Sequence, residues 1–175
     1  GQTGAIVGPT GAGKTTLMNL LLRFYDVKGG AIKIDGVDIR DMKREDLRSL
    51  FSLVLQDTWL FSGSIYDNIR YGRLDARKDE IISAAKMANV HHYIRTLTKG
   101  YDSLINEEAN NISQGEKQLL TIARAILKDP QILILDEATS SVDTRLERRL
   151  QEAMHRAMQG RTPLVIAHSL STTRD

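Results

Sequence analysis

Near its beginning the sequence reads Ala5-Ile6-Val7-Gly8-Pro9-Thr10-Gly11-Ala12-Gly13-Lys14-Thr15-Thr16. Apolar residues at 5–7 predict a short strand, and the amphipathic pattern from Lys14 to about Tyr25 predicts a helix. Between them, residues 8–15 fit the spacing G-x-x-x-x-G-K-[ST]. Glycines in such a loop permit positive φ angles, and the following helix adds the positive end of its dipole, so that backbone N–H groups converge on a phosphate. The alternative is a tight strand-to-helix turn with an exposed lysine.

This loop predicts a set of nucleotide-binding residues. Lys14 is expected to reach the β- and γ-phosphates, and the Thr15 hydroxyl is expected to bind Mg²⁺. The residues expected to bind nucleotide here are Gly8, Pro9, Thr10, Gly11, Ala12, Gly13, Lys14, Thr15 and Thr16.

A second motif, a pair of acidic residues, follows the apolar run Ile132-Leu133-Ile134-Leu135. That run predicts a buried strand, and Asp136 and Glu137 come directly after it. Ligands bind at the carboxyl ends of strands in open α/β sheets. We therefore expect Asp136 to hold Mg²⁺ through water and Glu137 to act as the general base on an attacking water. The alternative is that the two carboxylates only cap the next helix.

Composition and length bound the class of protein. The chain has 175 residues, enough for one domain with a sizeable core. A net charge of +2 is too small to argue for nucleic acid as a partner, and the absence of cysteine excludes disulfides and thiol chemistry. No apolar run approaches the ~20 residues of a membrane-spanning helix. We expect the chain to be cut at both ends, because neither end resembles a domain boundary.

The order of predicted elements favours an α/β fold. Strands are predicted at 5–7, 50–55, 131–135 and 164–167, and a hairpin turns at Asp35-Gly36 between 31–34 and 37–39. Residues from about 64 to 128 are predicted to be mostly helical with a loop at 99–111, and a further helix runs from Val142 to about Met158. Apolar strands alternating with helices imply a parallel sheet covered on both faces. The long helical stretch is expected to be an inserted subdomain.

Four further motifs make the sequence resemble the ATP-binding domain of ABC transporters. Ile112-Ser113-Gln114-Gly115-Glu116 resembles the signature L-S-G-G-Q, and Gln56 resembles the glutamine of the Q-loop. Ser140-Ser141-Val142-Asp143 resembles the D-loop, and His168 the H-loop histidine. With the phosphate loop and the acidic pair, all six stand in the family's order over essentially the whole chain.

The resemblance implies a P-loop NTPase fold: a RecA-like parallel sheet core at 1–56 and 129–175, a helical signature subdomain at about 57–128, and part of an antiparallel β subdomain. It implies that Glu137, His168 and Gln56 serve hydrolysis and that Thr15, Gln56 and Asp136 hold Mg²⁺. It also implies that two such domains pair head to tail around two ATP molecules. The residues then expected to face the partner's nucleotide are Ser113, Gln114, Gly115, Glu116 and Asp143.

Simpler explanations exist for several of these residues. Gln56 could be an ordinary polar residue at a strand end, and His168 a structural histidine. Ser113 could be a plain helix N-cap with Glu116 completing a capping box. Gln114 and Glu116 also depart from the family's glycine and glutamine, which leaves the contact with a partner's ATP open.

The segment from Gln56 to Ile69 resembles exporters in particular. Its apolar cluster Trp59-Leu60-Phe61 suggests a docking surface for a transmembrane domain, and Glu107 corresponds to an acidic residue that also faces that domain. The alternatives are a cluster that fills the subdomain core and a solvated acidic loop.

The leading hypothesis is therefore an ATPase that drives export through transmembrane domains, at the cytoplasmic face of a membrane, with a second nucleotide-binding domain as partner. One alternative is a nucleotide-gated, hydrolytically weak subunit of a heterodimeric exporter. Another is a soluble ABC ATPase acting on DNA or ribosomes, which the near-neutral charge disfavours.

Overall fold

The computed structural model describes residues 2–8, 13–55, 59–136 and 143–167. The strands are β1 (Gly4–Val7), β2 (Lys33–Ile34), β3 (Val37–Asp38), β4 (Phe51–Val54), β5 (Gly63–Ser64), β6 (Leu104–Ile105), β7 (Ile132–Asp136) and β8 (Thr162–Ala167). The α-helices are α1 (Lys14–Leu21), α2 (Arg44–Ser49), α3 (Ile65–Arg70), α4 (Lys78–Met87), α5 (His91–Thr96), α6 (Gln114–Lys128) and α7 (Thr144–Met158).

Four of the strands form one parallel sheet in the order β1-β8-β7-β4. β8 pairs with both β1 and β7, and β7 pairs with β4. Parallel neighbours need long crossover connections, which the intervening helices supply. The α/β fold with a parallel sheet predicted from the element order is thereby confirmed.

Both faces of this sheet are covered, as the apolar strands predicted. Along β7, Leu133 and Leu135 pack into a core built mainly with α3, α4, α6 and α7. Ile134, between them, points to the opposite core, which contains Leu22 and Leu47. Because side chains alternate across a strand, a continuous apolar run is what a strand buried on both faces requires.

Several predicted boundaries differ from the structure. α1 ends at Leu21 rather than near Tyr25, and Arg23 takes a left-handed conformation with φ of 53° that stops the helix. The second hairpin strand ends at Asp38, because the Asp38 side chain caps a short 3₁₀ turn at Ile39–Asp41. Similarly α7 starts at Thr144, after Asp143 as its cap.

The segment expected to be mostly helical also contains a strand pair that the sequence did not predict. β5 and β6 pair antiparallel, with Gly63 opposite Ile105 and Ser64 opposite Leu104.

No helix in the described ranges is long and apolar enough to cross a membrane.

Leu119 offers a test of the core beneath α6, because its side chain is fully buried. Leu119→Ala is expected to lower the free energy of unfolding of the chain by about 2–5 kcal/mol, since it removes buried apolar surface and leaves a cavity. Urea denaturation measures the change. The control is Leu104→Ala, whose side chain is 66% exposed. A loss no larger than that of the control would contradict the packing described here.

Candidate nucleotide site

The carboxyl ends of the four parallel strands meet at one edge of the sheet. Val7 lies opposite Ala167, Ile166 opposite Asp136, and Val54 opposite Leu135. Neighbouring strands are about 4.8 Å apart, so the ends of β1 and β7, separated only by β8, lie about 10 Å apart. This edge is where open α/β sheets bind their ligands.

Seven of the predicted site residues lie outside the described residues, so their roles remain predictions. They directly follow, or lie between, the elements that end or begin at this edge. They are Pro9, Thr10, Gly11, Ala12, Gln56, Glu137 and His168.

The two ends of the phosphate loop are held together by Lys14. Its Nζ donates a hydrogen bond to the carbonyl oxygen of Gly8, at the end of β1. Gly13 precedes the helix with a φ of 96°, a conformation that glycine adopts without strain. Thr15 and Thr16 follow in the first turn of α1 and are exposed. The lysine and both threonines therefore lie near the end of β1, and their contacts with phosphate and Mg²⁺ stay predictions.

Asp136 carries the strongest indication of a ligand-binding position. Its Oδ1 atom is buried and has no hydrogen-bond partner among the described residues. A buried carboxylate oxygen without a partner is costly unless a ligand pairs with it. Oxygen donors such as this carboxylate and the Thr15 hydroxyl suit Mg²⁺. The described part of the chain contains no cluster of three or more His, Cys, Asp or Glu side chains that could hold a metal ion by itself.

The signature residues form the start of α6. Ser113 is the N-cap, and its Oγ accepts a hydrogen bond of 3.3 Å from the backbone N–H of Glu116. A capping box would turn the Glu116 carboxylate back toward Ser113. The carboxylate instead forms an ion pair with Arg149 of α7, with 3.1 Å between Arg149 Nη1 and Glu116 Oε1. Ser113 is thus a helix cap, as one explanation from the sequence proposed, but only half of the capping box is formed.

α7 packs directly against this start. A Cβ atom added at Gly115 would lie 2.1 Å from Leu146 Cδ2, so a larger residue there would force the Leu146 side chain to shift. Three residues before Leu146, Asp143 caps α7, and its Oδ1 accepts from the backbone N–H of Arg145 at 2.9 Å. The structure therefore brings the signature and Asp143 to the starts of two helices in contact.

The apolar cluster at 59–61 is divided between core and surface. Leu60 is buried, whereas the Trp59 side chain is 58% exposed. Trp59 stacks near Phe61 and Tyr71, with ring centroids 5.8 and 5.6 Å away. Leu60 therefore belongs to the core, whereas Trp59 lies at the surface, and docking of a transmembrane domain there stays a prediction.

Trp59 lines a groove of about 640 Å³ between the helical segment and the sheet. Its cationic lining residues are Arg48, Arg124 and Lys128, and none of its lining residues is acidic. Arg124 lies against the Trp59 and Tyr71 rings and donates 2.8 and 2.9 Å hydrogen bonds to the carbonyl oxygens of Asn68 and Trp59. Burial lowers the pKa of Arg124 to about 10, which leaves it charged at neutral pH.

Sequence analysis missed Arg124 and Arg149. Each lies in a stretch that the sequence analysis predicted only to be helical. The available indication was a cation flanked by small apolar residues, Ala123 and Ala125, in the case of Arg124.

A parallel α/β sheet with a strand, glycine loop and helix at its ligand-binding edge, and an unpaired acidic oxygen two strands away, defines a P-loop nucleotide-binding protein. The family model described as ABC transporter matches residues 1–140. The chain belongs to the ABC transporter family, as its motifs indicated, and is an ATP-binding domain of that family.

Individual relatives are similar over the whole chain. It is 58% identical, over all 175 residues, to a fatty acid ABC transporter ATP-binding/permease protein of Mycobacterium tuberculosis. It is 53% identical over 175 residues to an ATP-dependent lipid A-core flippase of Syntrophus aciditrophicus. The chain spans only 28% and 29% of these two relatives.

A solved structure of a bacterial Atm1-family ABC exporter with ATP bound has a similar fold. The TM-score is 0.89 at 45% sequence identity, over 99% of this chain and 30% of that one.

Gly115 provides a test of the packing between α6 and α7. Gly115→Ala is expected to destabilise the chain by about 1–3 kcal/mol, because the new methyl group overlaps Leu146. Thermal or urea unfolding measures the loss. Adding Leu146→Ala removes the overlap and should make the effect of the alanine at 115 smaller. Gly29→Ala is the control, since a Cβ there has no atom within 4 Å. If the double variant loses the sum of the two single effects, the overlap is not the cause.

Proposed function

We propose that this chain is the ATP-hydrolysing domain of an exporter, in which hydrolysis drives transport through associated transmembrane domains. The observation that carries the proposal is the buried, unpaired Oδ1 of Asp136 at the sheet edge where the phosphate loop ends. A pocket for a metal–phosphate group explains why that oxygen is left without a protein partner. The names of the relatives, an ATP-binding/permease protein and an ATP-dependent flippase, support the same class of activity.

In the proposed mechanism Lys14 and the backbone N–H groups of residues 10–15 bind and orient the phosphates. Asp136 and the Thr15 hydroxyl, with Gln56, would hold Mg²⁺, which neutralises phosphate charge when bound. Glu137 accepts a proton from the attacking water, whose oxygen bonds to the γ-phosphorus as the bond to the ADP oxygen breaks. His168 donates a hydrogen bond to the γ-phosphate.

The proposal extends to two kinds of partner. A second nucleotide-binding domain would pair head to tail with this one, so that Ser113, Gly115 and Asp143 face its nucleotide. The groove beside Trp59 would receive a helix of a transmembrane domain, which would place the chain at the cytoplasmic face of a membrane. Residues 57–128 would act as the helical subdomain that joins these two surfaces.

Glu137→Gln tests the hydrolytic assignment in the full-length polypeptide that contains this chain. Steady-state ATP hydrolysis is expected to fall at least about 100-fold, because general-base catalysis is lost. ATP binding should remain, since the glutamine keeps the size and polarity of the side chain. The control is Glu45→Gln, at an exposed position of α2.

Two results would count against the proposal. Unchanged turnover in Glu137→Gln would exclude Glu137 as the base. An unsubstituted protein that binds ATP but turns it over no faster than the variant would favour the nucleotide-gated subunit instead.

The chain lacks cysteine, so that single introduced cysteines can test the groove. Leu74 lines the groove and is 66% exposed, whereas Val37, on the small hairpin, is 49% exposed. In the isolated chain Leu74→Cys and Val37→Cys should both react readily with a maleimide. In the full-length protein in its membrane, with any other cysteines replaced, Leu74→Cys is expected to react at least about tenfold more slowly, because a docked helix excludes solvent. Equal rates in the two settings would contradict docking at this groove.

A further inference from the structure

Arg149 forms a two-pronged ion pair with the unusual glutamate of the signature. Its Nη1 donates to Glu116 Oε1 at 3.1 Å and its Nη2 to Glu116 Oε2 at 3.3 Å. The side chains are 34% and 12% exposed, so the carboxylate is largely removed from solvent. Two parallel N–H···O contacts fix the direction of the carboxylate as well as its charge.

The same guanidinium is anchored on a third element. Its Nη2 and Nε donate to the carbonyl oxygen of Asn89 at 2.7 and 3.3 Å. Asn89 lies between α4 and α5 with a φ of 57°, and its Nδ2 donates back to the Arg149 carbonyl oxygen at 3.1 Å. Arg149 is therefore held in place independently of Glu116, and it can orient the carboxylate rather than follow it.

At its position in the signature, the negative charge of Glu116 would oppose the binding of a nucleotide unless another group neutralises it. Glu116 stands in the first turn of α6, where the positive end of the helix dipole favours an anion. A carboxylate beside a bound triphosphate would instead repel it, strongly so in a partly buried site. Gly115, the residue before Glu116, lies close to the Leu146 side chain, so this helix start is in direct contact with α7.

We propose that Arg149 is a positioning residue that makes a glutamate tolerable in the signature, by turning the Glu116 carboxylate toward α7 and neutralising it. Glu116 is then not a nucleotide contact but one half of this pair, and the nucleotide is left to Ser113 and the N–H groups of the helix start. The inference rests on the proposed function, in that the start of α6 faces a partner's ATP.

The test uses the ATP dependence of hydrolysis by the full-length protein. Arg149→Leu is expected to raise the KM for ATP by about tenfold and to change kcat by less than about twofold, because an uncompensated charge weakens nucleotide binding rather than chemistry. Adding Glu116→Gln removes that charge, so the double variant should return KM to within about twofold of the unsubstituted protein.

Arg156→Leu is the matched control. Arg156 also lies on α7 and fastens it to the same junction, through bonds of 3.0 Å to the Met87 carbonyl oxygen and 2.7 Å to Asn89 Oδ1. It does not pair with Glu116. If Arg149 only fastened helices together, Arg156→Leu would raise KM as much, and the double variant would be at least as impaired as Arg149→Leu. Either result would overturn the proposal.

A further variant covers the case in which Arg149→Leu fails to fold. Arg149→Gln keeps an amide donor for the Asn89 carbonyl and removes only the charge, and it too should raise KM. An unchanged KM in folded Arg149→Gln would contradict the inference. A failure of the proposed function would look different, since the unsubstituted protein would then show no ATP hydrolysis sensitive to Glu137→Gln.

Discussion

The parallel pairing of β1, β8, β7 and β4 is the constraint on which the rest of the structure depends. Because all four strands run in one direction, every strand ends at the same edge, and Gly8, Asp136 and the end of β8 at Ala167 meet there although they are far apart in the sequence. An antiparallel arrangement would send alternate strand ends to opposite edges. The buried unpaired oxygen of Asp136 is tolerable only at such an edge, where a ligand can reach it.

The two cores protect this arrangement against slippage. In β7 the side chains of Leu133 and Leu135 enter one core and that of Ile134 the other. A shift by one residue would exchange the two sets and would move Asp136 away from its place opposite Ile166. The apolar run before Asp136 therefore sets the position of the carboxylate, and a substitution deep in either core acts on the site through the register of the strand.

Sequence analysis predicted those features of the fold that the pattern of neighbouring residues determines. The glycine loop, the apolar strands and the amphipathic α7 are each specified by neighbouring residues, and the order of the motifs indicated the family. The β5–β6 pair was not predicted, because each strand has only two residues, at 63–64 and 104–105, and so short a strand shows no periodicity. Contacts with distant segments decide that Leu60 is buried while Trp59 is exposed, and they also set the roles of Arg124 and Arg149. No local pattern contains such contacts.

Those two arginines act on the same helix. Arg124 belongs to α6 and fastens its middle to the carbonyl oxygens of Trp59 and Asn68 beside the groove. Arg149 fastens the start of α6 to α7. A helix of 15 residues is about 22 Å long and does not compress, since its interior bonds and its packing resist strain. A partner that displaces Arg124 therefore displaces Ser113 and Gly115 as well, together with the α7 start at Asp143 against which they pack. The groove and the signature therefore contact one rigid helix at its middle and at its start, and this connection requires no change in the sheet.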